Sequence, residues 1–472
     1  MGDPNCNIDL VCCWISIYLF CSTQSEEKAM NPVLKVTPER SRIDSPIQIT
    51  AGGLVPGERV TIRTNVMDGA LREWESIAIV NADSAGAVDL SQMAPLEGST
   101  YQGIDGEGPL WSMLGPDQSK FFTRNLPVEL EYHSELLRGD SVIASTRFRR
   151  HFGDGVKCGQ VHEPPVVGTF AHPNDDLPHP GVLLLHGSDS VDLAGASKLL
   201  ASEGYSVLAL RWFGIEDRPP HLVNINLNDI DRVVKHMLND DFVLGDHIAV
   251  IGLSRGAELG LELAANNANI GLTIALSPSS IRQAGMGENF SFKDPAWVRN
   301  GEPLEWVPGG NGFGMMISWL SAVIRRKPMR QKRSFLKDLN KKDEAVEKST
   351  IQVENCKGPI TLIFGDDDGL WPSKEYSDRI AGRLKNADWP GNLRIECLPG
   401  AGHFVGFPYA LPTLPPMRML KPTSFFSIDF GGSAEANAES AKKVWQIVQE
   451  ELSRWSMSLI TESDRRGNGK GC

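Results

Sequence analysis

The pentapeptide Gly252-Leu-Ser254-Arg-Gly256 is the part of this sequence with the clearest chemical meaning. It follows an apolar run at 247–251 and precedes a run with helical periodicity at 257–264. A G-x-S-x-G between a strand and a helix forms a strained turn that holds the serine hydroxyl above the sheet, and the flanking glycines prevent clashes. Ser254 is therefore predicted to be the nucleophile of an acyl-transfer reaction.

An acid and then a histidine should follow such a serine at the ends of two later strands. The apolar run 360–364 predicts a strand buried on both faces, and three aspartates follow it at 366–368. The spacing after Gly365 favours Asp368 as the acid, with Asp367 as the alternative. Runs of aspartate also occur in solvated turns and caps, so the pattern leaves both residues open.

His403 is the predicted general base. It lies in a glycine-rich turn directly after the next predicted strand, 394–398, whereas the other nine histidines are scattered. In the predicted mechanism His403 takes the Ser254 proton during attack and returns a proton to the leaving group. The carboxylate fixes the histidine tautomer and stabilises the imidazolium. A structural histidine is the alternative.

The oxyanion of the tetrahedral intermediate requires N–H donors that are held in advance, and each lowers the barrier by about 3 to 4 kcal/mol. The strained turn around Ser254, called the nucleophile elbow, supplies the backbone N–H of Arg255. The second donor is expected in the loop after the predicted strand 181–185, where His186, Gly187 and Ser188 follow. Ser188 or its neighbour is predicted to provide it.

Composition limits the classes of function. A length of 472 residues predicts more than one domain, and a hydrophobic content of 41% is enough for packed cores. The net charge of −12 argues against nucleic acid as a partner. Cys158, Cys356 and Cys397 lie in the body of the chain without metal-ligand spacing, so neither zinc nor a disulfide framework is expected. No metal or cofactor is predicted, and the sequence indicates no oligomeric state.

The apolar segment 10–20 bears on localisation. It is too short for a membrane span, so no membrane span is predicted. Asp3 and Asp9 precede it without any Lys or Arg, which is the wrong charge for an export signal. A cytoplasmic location is therefore expected, with the peroxisome, the mitochondrion and secretion as alternatives.

The character of the sequence changes along the chain. Residues 33–160 contain short alternating runs between Pro, Gly and Asp turns, which predicts a β-sandwich. Residues 161–460 alternate apolar strands with helical runs, which predicts an α/β-hydrolase domain, a mostly parallel sheet with helices on both faces. A Pro-rich stretch at 163–180 is predicted to join the two. Residues 1–32 and 461–472 are predicted to be a poorly ordered extension and a tail.

A long interval at about 280–353 lies between the predicted serine and acid strands. A compact hydrolase sheet does not need so much chain there, so part of it is predicted to be a lid over the pocket. The interval contains the basic segment 325–333. That segment predicts either a phosphate-binding patch or a solvated basic surface.

The chain resembles the family of acyl-CoA thioesterases and bile acid-CoA:amino acid N-acyltransferases over about residues 33–455, with a gap in the lid interval. The resemblance rests on segments in both regions, namely Asp44-Ser-Pro-Ile-Gln-Ile, Gly108-Pro-Leu-Trp111-Ser-Met113, the elbow with Glu258, residues 365–373, and Pro399-Gly-Ala-Gly-His403-Phe followed by Pro408-Tyr409. It implies a β-sandwich before an α/β-hydrolase domain, acyl-CoA as substrate, with a fatty acyl group expected, and a triad of Ser254, Asp368 and His403.

Within this family, the identity of the nucleophile distinguishes members that transfer the acyl group to an amine from members that hydrolyse the thioester. Members that resemble the N-acyltransferases have cysteine at the elbow, and its thioester is readily attacked by an amine such as glycine or taurine. The oxygen ester of a serine is less reactive toward amines, so Ser254 favours hydrolysis to a free acid and CoA. The chain departs from the family pattern in having Arg255 for the usual lysine, a longer lid interval, and Gly406-Phe407 before Pro408.

Two further functions remain as alternatives. A carboxylesterase or dienelactone-hydrolase-like enzyme would use the same three residues on a plain ester, but the β-sandwich segments argue against it. A catalytically silent binding protein would also keep the fold. Such proteins usually lose a triad member, and this sequence lacks none.

Overall fold

The structure is a computed structural model that describes residues 31–468, except for 117–120, 123–128, 309–319, 321, 323, 326, 341–343 and 424–425. The predictions for the apolar segment 10–20 and for the end of the tail lie outside the described residues. No helix in the described part of the chain has the length and hydrophobicity that crossing a bilayer requires.

The amino-terminal region is built from two β-sheets. One has the strand order β1-β3-β6 and the other β2-β8-β7-β4-β5. Its elements are β1 (Val33–Thr37), β2 (Arg40–Arg42), β3 (Gln48–Gly52), β4 (Arg59–Met67), β5 (Glu73–Asn81), β6 (Val88–Asp89), a short helix α1 (Gly108–Trp111), β7 (Glu129–Arg138) and β8 (Ser141–His151). Buried and more exposed residues alternate along β4 and β5, as expected for strands with one face in a core. The predicted all-β character of this region is confirmed.

The second region contains an eight-stranded sheet of order β19-β18-β15-β14-β11-β12-β10-β9. Its strands are β9 (Val156–Glu163), β10 (Val166–Pro173), β11 (His179–Leu185), β12 (Ser206–Leu210), β14 (Val243–Leu253), β15 (Ile270–Leu276), β18 (Ile360–Gly365) and β19 (Leu393–Leu398). The short strands outside it are β13 (Ile225–Asn226), β16 (Trp297–Arg299), β17 (Glu302–Pro303), β20 (Met419–Thr423) and β21 (Phe426–Asp429). The strands from β19 to β12 run parallel, and β10 and β9 are antiparallel additions at one edge.

Helices cover both faces of this sheet. They are α2 (Ala194–Ala201), α3 (Leu227–Leu238), α4 (Arg255–Asn266), α5 (Lys332–Asn340), α6 (Glu344–Lys348), α7 (Ser373–Asn386) and α8 (Ala434–Asn468), with single 3₁₀ turns at Glu288–Phe290 and Val353–Asn355. Along β11, Val182 and Leu184 belong to one hydrophobic core and Leu183 and Leu185 to another. The strand is apolar throughout because each face packs on helices. The predicted α/β-hydrolase fold class is confirmed.

The Pro-rich stretch 163–180 was predicted to join the two regions. In the structure it is instead part of the large sheet. Pro164 and Pro165 lie in the turn between β9 and β10, and β10 pairs with β12 in the large sheet. The boundary predicted at 160 therefore falls inside β9. Prolines lie at both ends of β10 and give the stretch the composition of a linker, although β10 is paired on both sides and most of its residues are buried.

The two regions are joined by hydrogen bonds between buried groups. Arg150 of β8 is fully buried, and its guanidinium donates to the carbonyl of Ile43 at 2.7 Å. The Thr413 hydroxyl of the second region donates to the same carbonyl at 2.9 Å. The Trp445 indole of α8 donates to the Asp44 carboxylate at 2.8 Å.

An aromatic contact also crosses between the regions. The ring of Phe121 lies 6.1 Å from that of Phe404 and 5.8 Å from that of Phe430, measured between centroids. Phe404 follows the predicted base His403 directly in the chain. The amino-terminal region therefore packs against the segment that carries the predicted base.

His186, at the end of β11, is fully buried. Its ring stacks on Trp212 with centroids 4.9 Å apart and planes 10° from parallel. The Nδ1–H donates to the carbonyl of Gly187 at 2.8 Å, and Nε2 accepts the backbone N–H of Trp212 at 3.4 Å. Burial lowers the pKa of His186 from its usual 6.5 to about 4. The folded protein therefore holds a neutral imidazole here.

This buried imidazole makes stability depend on pH. Between about pH 6.5 and pH 4 the unfolded chain protonates His186 and the folded chain does not, so acidification favours unfolding. We expect the stabilisation to be fully present above pH 6.5 and to fall by about 3 kcal/mol as the pH drops toward 4. In His186→Gln the free energy of unfolding should change less across this range, as measured by urea denaturation at several pH values. The exposed His221→Gln is the control, and equal pH dependence in His186→Gln and wild type would contradict the prediction.

Candidate active site

Ser254 lies in a strained turn between β14 and α4. Its φ of 58° and ψ of −119° are unfavourable for a residue with a side chain, and such strain is kept where the surroundings fix it. Its N–H donates to the carbonyl of Leu276 at 2.9 Å, and its carbonyl accepts the N–H groups of Ala257 and Glu258 at 3.0 Å each. The turn is thus held from the neighbouring strand and from the first turn of the helix.

The two glycines of the elbow are required by close backbone packing. A Cβ on Gly252 would lie 2.2 Å from the carbonyl oxygen of Gly256. A Cβ on Gly256 would lie 2.3 Å from the carbonyl oxygen of Leu185, at the end of the adjacent β11. Any side chain at either position would push the serine turn away from the sheet edge.

Asp368 follows β18 and is 2% exposed. Its Oδ1 accepts the N–H groups of Leu370 at 2.8 Å and Trp371 at 2.9 Å. Its Oδ2 accepts the Ser373 hydroxyl at 2.5 Å and lies 2.8 Å from His403 Nδ1. Four donors therefore orient this carboxylate and balance its charge inside the protein.

The neighbouring aspartates point elsewhere. The Asp367 carboxylate forms a 2.9 Å ion pair with Arg330 and accepts the N–H of Gly432 at 3.0 Å. The Asp366 carboxylate accepts the N–H of Gly400 at 2.7 Å. Of the two candidates that the sequence left open, the structure therefore brings Asp368, and not Asp367, to the histidine.

His403 is 1% exposed and is held on several sides. The backbone N–H of His403 donates to the carbonyl of Phe430 at 2.8 Å, and its backbone carbonyl accepts the Ser277 hydroxyl at 2.7 Å. The rings of Trp371 and Phe404 contact the imidazole edge to face, with centroids 5.8 and 5.4 Å away. Because Nδ1–H donates to the aspartate, the lone pair of the neutral ring is on Nε2.

The Nε2 atom of His403 is buried and has no hydrogen-bond partner among the described residues. The structure shows no hydrogen bond between this atom and the Ser254 hydroxyl. Catalytic hydrogen bonds are often long in free enzymes and shorten in the substrate complex. The geometry therefore provides an oriented base whose reactive nitrogen is unoccupied.

The parallel sheet explains why residues so distant in sequence converge. The strands β11, β14, β15, β18 and β19 are neighbours and run in one direction. The loops that carry Ser188, Ser254, Asp368 and His403 follow β11, β14, β18 and β19 respectively. Ligands bind to sheets of this kind at the carboxyl ends of the strands.

The loop after β11 is fixed by Tyr409. The Gly187 N–H donates to the Tyr409 hydroxyl, and that hydroxyl donates to the Asp189 carboxylate at 2.5 Å. A Cβ on Gly187 would lie 3.1 Å from the Tyr409 oxygen and 3.7 Å from the Ser254 Cβ. Gly187 therefore lies between the tyrosine hydroxyl and the serine. Local sequence patterns do not indicate this role, because Tyr409 is separated from Gly187 by 222 positions.

The two predicted oxyanion donors are half-buried Ser188 and buried Arg255. The Gly187 carbonyl accepts a hydrogen bond from the His186 ring. The N–H of Ser188 belongs to the same peptide unit and points in the opposite direction, because the two groups of a trans peptide are antiparallel. The Ser188 N–H therefore points away from the His186 imidazole. Arg255 is the first residue of α4, where backbone N–H groups have no acceptor within the helix. The positive end of the helix dipole also lies there.

The Arg255 side chain lies in the core under the elbow. Its guanidinium pairs with Glu258 at 2.8 Å and lies 5.4 Å from the ring of Trp297. Glu258 Oε1 also accepts the Trp297 indole N–H at 2.6 Å. Burial lowers the pKa of Arg255 and raises that of Glu258, and the mutual attraction of their charges opposes both shifts. The arginine that departs from the family pattern therefore belongs to a buried ion pair.

The candidate site contains no metal-binding cluster. Among the described residues, no group of three or more His, Cys, Asp or Glu side chains could hold a metal ion.

Known proteins similar to this chain match both of its regions. The family described as acyl-CoA thioester hydrolase/BAAT N-terminal region matches residues 44–163, and BAAT / acyl-CoA thioester hydrolase C terminal matches residues 225–455. Mouse acyl-coenzyme A thioesterase 1 is 28% identical, over 89% of this chain and 96% of the relative. Mouse bile acid-CoA:amino acid N-acyltransferase is 27% identical over the same shares of the two chains.

Among solved structures, esterase B from Lactobacillus rhamnosis is similar with a TM-score of 0.38 and 13% identity, over 67% of this chain and 90% of that chain. The two family matches follow one another in the order of the two regions, and the relatives align along most of their length. The chain therefore belongs to the acyl-CoA thioesterase and bile acid-CoA:amino acid N-acyltransferase family of α/β-hydrolase enzymes, and the resemblance predicted from the sequence is confirmed.

Proposed function

We propose that this enzyme hydrolyses acyl-CoA thioesters to a free carboxylic acid and CoA through a covalent acyl-enzyme on Ser254. The observation that carries the proposal is the His403 imidazole, which is held by Asp368 at Nδ1 and has no partner at Nε2. A base with this geometry, together with a serine in a strained elbow at the same edge of the sheet, is suited to acyl transfer. The names of the thioesterase relatives support acyl-CoA as the substrate.

In the acylation step the Ser254 oxygen attacks the thioester carbonyl carbon while His403 Nε2 takes the hydroxyl proton. The carbonyl oxygen becomes an oxyanion, which accepts hydrogen bonds from the backbone N–H groups of Arg255 and Ser188. Collapse of the tetrahedral intermediate breaks the carbon–sulfur bond. The CoA thiol leaves with the proton from His403, and the acyl group remains on the serine as an ester.

In the deacylation step a water molecule attacks the serine ester. His403 Nε2 takes one proton from the water, and the same two N–H groups receive the second oxyanion. Collapse then breaks the bond to the Ser254 oxygen, and His403 returns the proton to that oxygen. The Asp368 carboxylate keeps its negative charge throughout and stabilises the imidazolium in both steps.

We propose a cytoplasmic location for this reaction. Cys158, Cys356 and Cys397 are free thiols, as is usual in a reducing compartment. Two mouse relatives are named as a mitochondrial and a peroxisomal thioesterase. Those two compartments and secretion are the alternatives for this chain.

The second candidate function is transfer of the acyl group to an amino acid. This function is supported by the 27% identity of the chain to mouse bile acid-CoA:amino acid N-acyltransferase. Both reactions proceed through the same acyl-enzyme and differ only in the nucleophile that attacks it. An oxygen ester on Ser254 is less reactive toward amines than a cysteine thioester, which favours water.

The nucleophile can be tested directly. We expect Ser254→Ala to lower kcat for acyl-CoA hydrolysis at least ~10⁴-fold, because the acyl-enzyme cannot form. Release of free thiol measures the rate, and circular dichroism checks that the fold is kept. A fluorophosphonate should label wild type on the Ser254 peptide, and not the variant. The control is Ser84→Ala, an exposed serine in the amino-terminal region, and near-normal turnover by Ser254→Ala would end the proposal.

The two adjacent aspartates offer a matched pair for testing the acid. We expect Asp368→Asn to lower kcat by about 10³- to 10⁴-fold, because the amide neither selects the reactive histidine tautomer nor stabilises its charge. Asp367→Asn, which removes the same charge one residue away, should lower kcat less than about tenfold. The kcat values of both variants and wild type are measured by steady-state kinetics with one acyl-CoA. Equal losses in the two variants would refute the assignment of Asp368.

Competition between water and amines separates the two candidate functions. We expect acyl-CoA incubated with the enzyme and millimolar glycine or taurine to yield free acid, with amide below a few per cent of product. Mass spectrometry of the products gives the ratio, and the mouse N-acyltransferase serves as a positive control. Amide as the main product would assign the chain to acyl transfer.

A further inference from the structure

A strongly basic stretch takes no part in the proposed mechanism. Residues 325–340 contain seven Lys or Arg and a single Asp, within a chain whose net charge is −12. Among the described residues of this stretch, Arg325, Lys327, Arg333 and Lys337 are exposed and form no ion pair with another described residue. We call these four residues the free basic cluster. A concentration of uncompensated charge this large favours an anionic ligand.

The free basic cluster is fastened to the loop that carries the acid. Arg330, which lies between Lys327 and Arg333 in the sequence, donates to the carbonyl of Asp367 at 2.6 Å and pairs with the carboxylate of the same residue at 2.9 Å. The N–H of Gln331 donates to the carbonyl of Gly369 at 2.8 Å. These bonds reach both residues that flank Asp368, so the basic stretch lies beside the candidate active site.

Helix α5, which carries Arg333 and Lys337, is linked to the histidine through one aromatic ring. Its Phe335 ring contacts Trp371 with centroids 6.0 Å apart, and Trp371 contacts the His403 ring at 5.8 Å. Arg333 and Lys337 are exposed and, being four residues apart, lie on the same side of the helix. The helix thus packs its aromatic side against the site and presents a positive side to solvent.

We propose that the free basic cluster binds the phosphate groups of the CoA moiety of the substrate. This inference rests on the proposed function and extends it to a nucleotide subsite. The pantetheine arm separates the thioester from these phosphates, so their binding site must lie beside the catalytic centre and not within it. Arginine and lysine are the side chains that pair with phosphate, and in an otherwise acidic chain this positive surface attracts the substrate.

The cluster is tested by reversing its charge on α5. The double variant R333E/K337E should raise KM for an acyl-CoA at least about tenfold and leave kcat within about twofold. The same acyl group on N-acetylcysteamine, a thioester without phosphates, should show unchanged kinetics. The inhibition constant of adenosine 3′,5′-bisphosphate should rise by a similar factor. These effects should shrink as salt is raised.

A matched control carries the same charge change on the amino-terminal region. Lys35 and Arg59 are exposed and form no ion pair with a described residue, and K35E/R59E should leave KM for acyl-CoA unchanged. An unchanged KM in R333E/K337E, or an equal loss of activity on both thioesters, would overturn the inference. So would an unchanged KM together with lost binding to phosphatidylserine vesicles, because the charges would then serve a lipid surface. A wild-type enzyme that hydrolyses no CoA thioester would instead refute the proposed function.

Discussion

The hydrogen bond between His403 Nδ1 and Asp368 Oδ2 is the interaction on which the rest of the site depends. It joins the ends of β18 and β19, which are adjacent in a parallel sheet, and it decides which histidine nitrogen carries the lone pair. The bond is buried, so it is protected from water and from screening by salt. The donors around Asp368 and the rings around His403 keep both groups in this orientation without a substrate.

The serine side of the site depends on backbone crowding. The elbow lets the backbone of α4 approach the end of β11 because Gly252 and Gly256 carry no side chain. The same close approach brings Gly187 next to Ser254 and leaves Tyr409 to satisfy the Gly187 N–H. The oxyanion loop and the nucleophile are therefore positioned by one set of contacts, and a shift in either would move the other.

The sequence predicts those parts of the site that are local in the chain. The elbow, the apolar strands and the turn around His403 each lie within a few residues, and the fold class follows from their order. The spacing after Gly365 favours Asp368 over Asp367 but leaves both open, because the contacts that separate them involve Ser373 and an arginine 37 residues before Asp367. The role of Tyr409 and the burial of β10 were missed for the same reason, since each depends on contacts between distant segments.

The contact of Phe121 with Phe404 and Phe430 bears on how such an enzyme can evolve. Phe121, which lies between α1 and β7, covers the rings of Phe404 and Phe430, so separating the hydrolase half from the amino-terminal region would expose these rings to water beside the base. The two halves are consequently not interchangeable modules. Mutations that drift in one must be compensated in the other, and this coupling explains how a region without any reacting group can be retained alongside the chemistry.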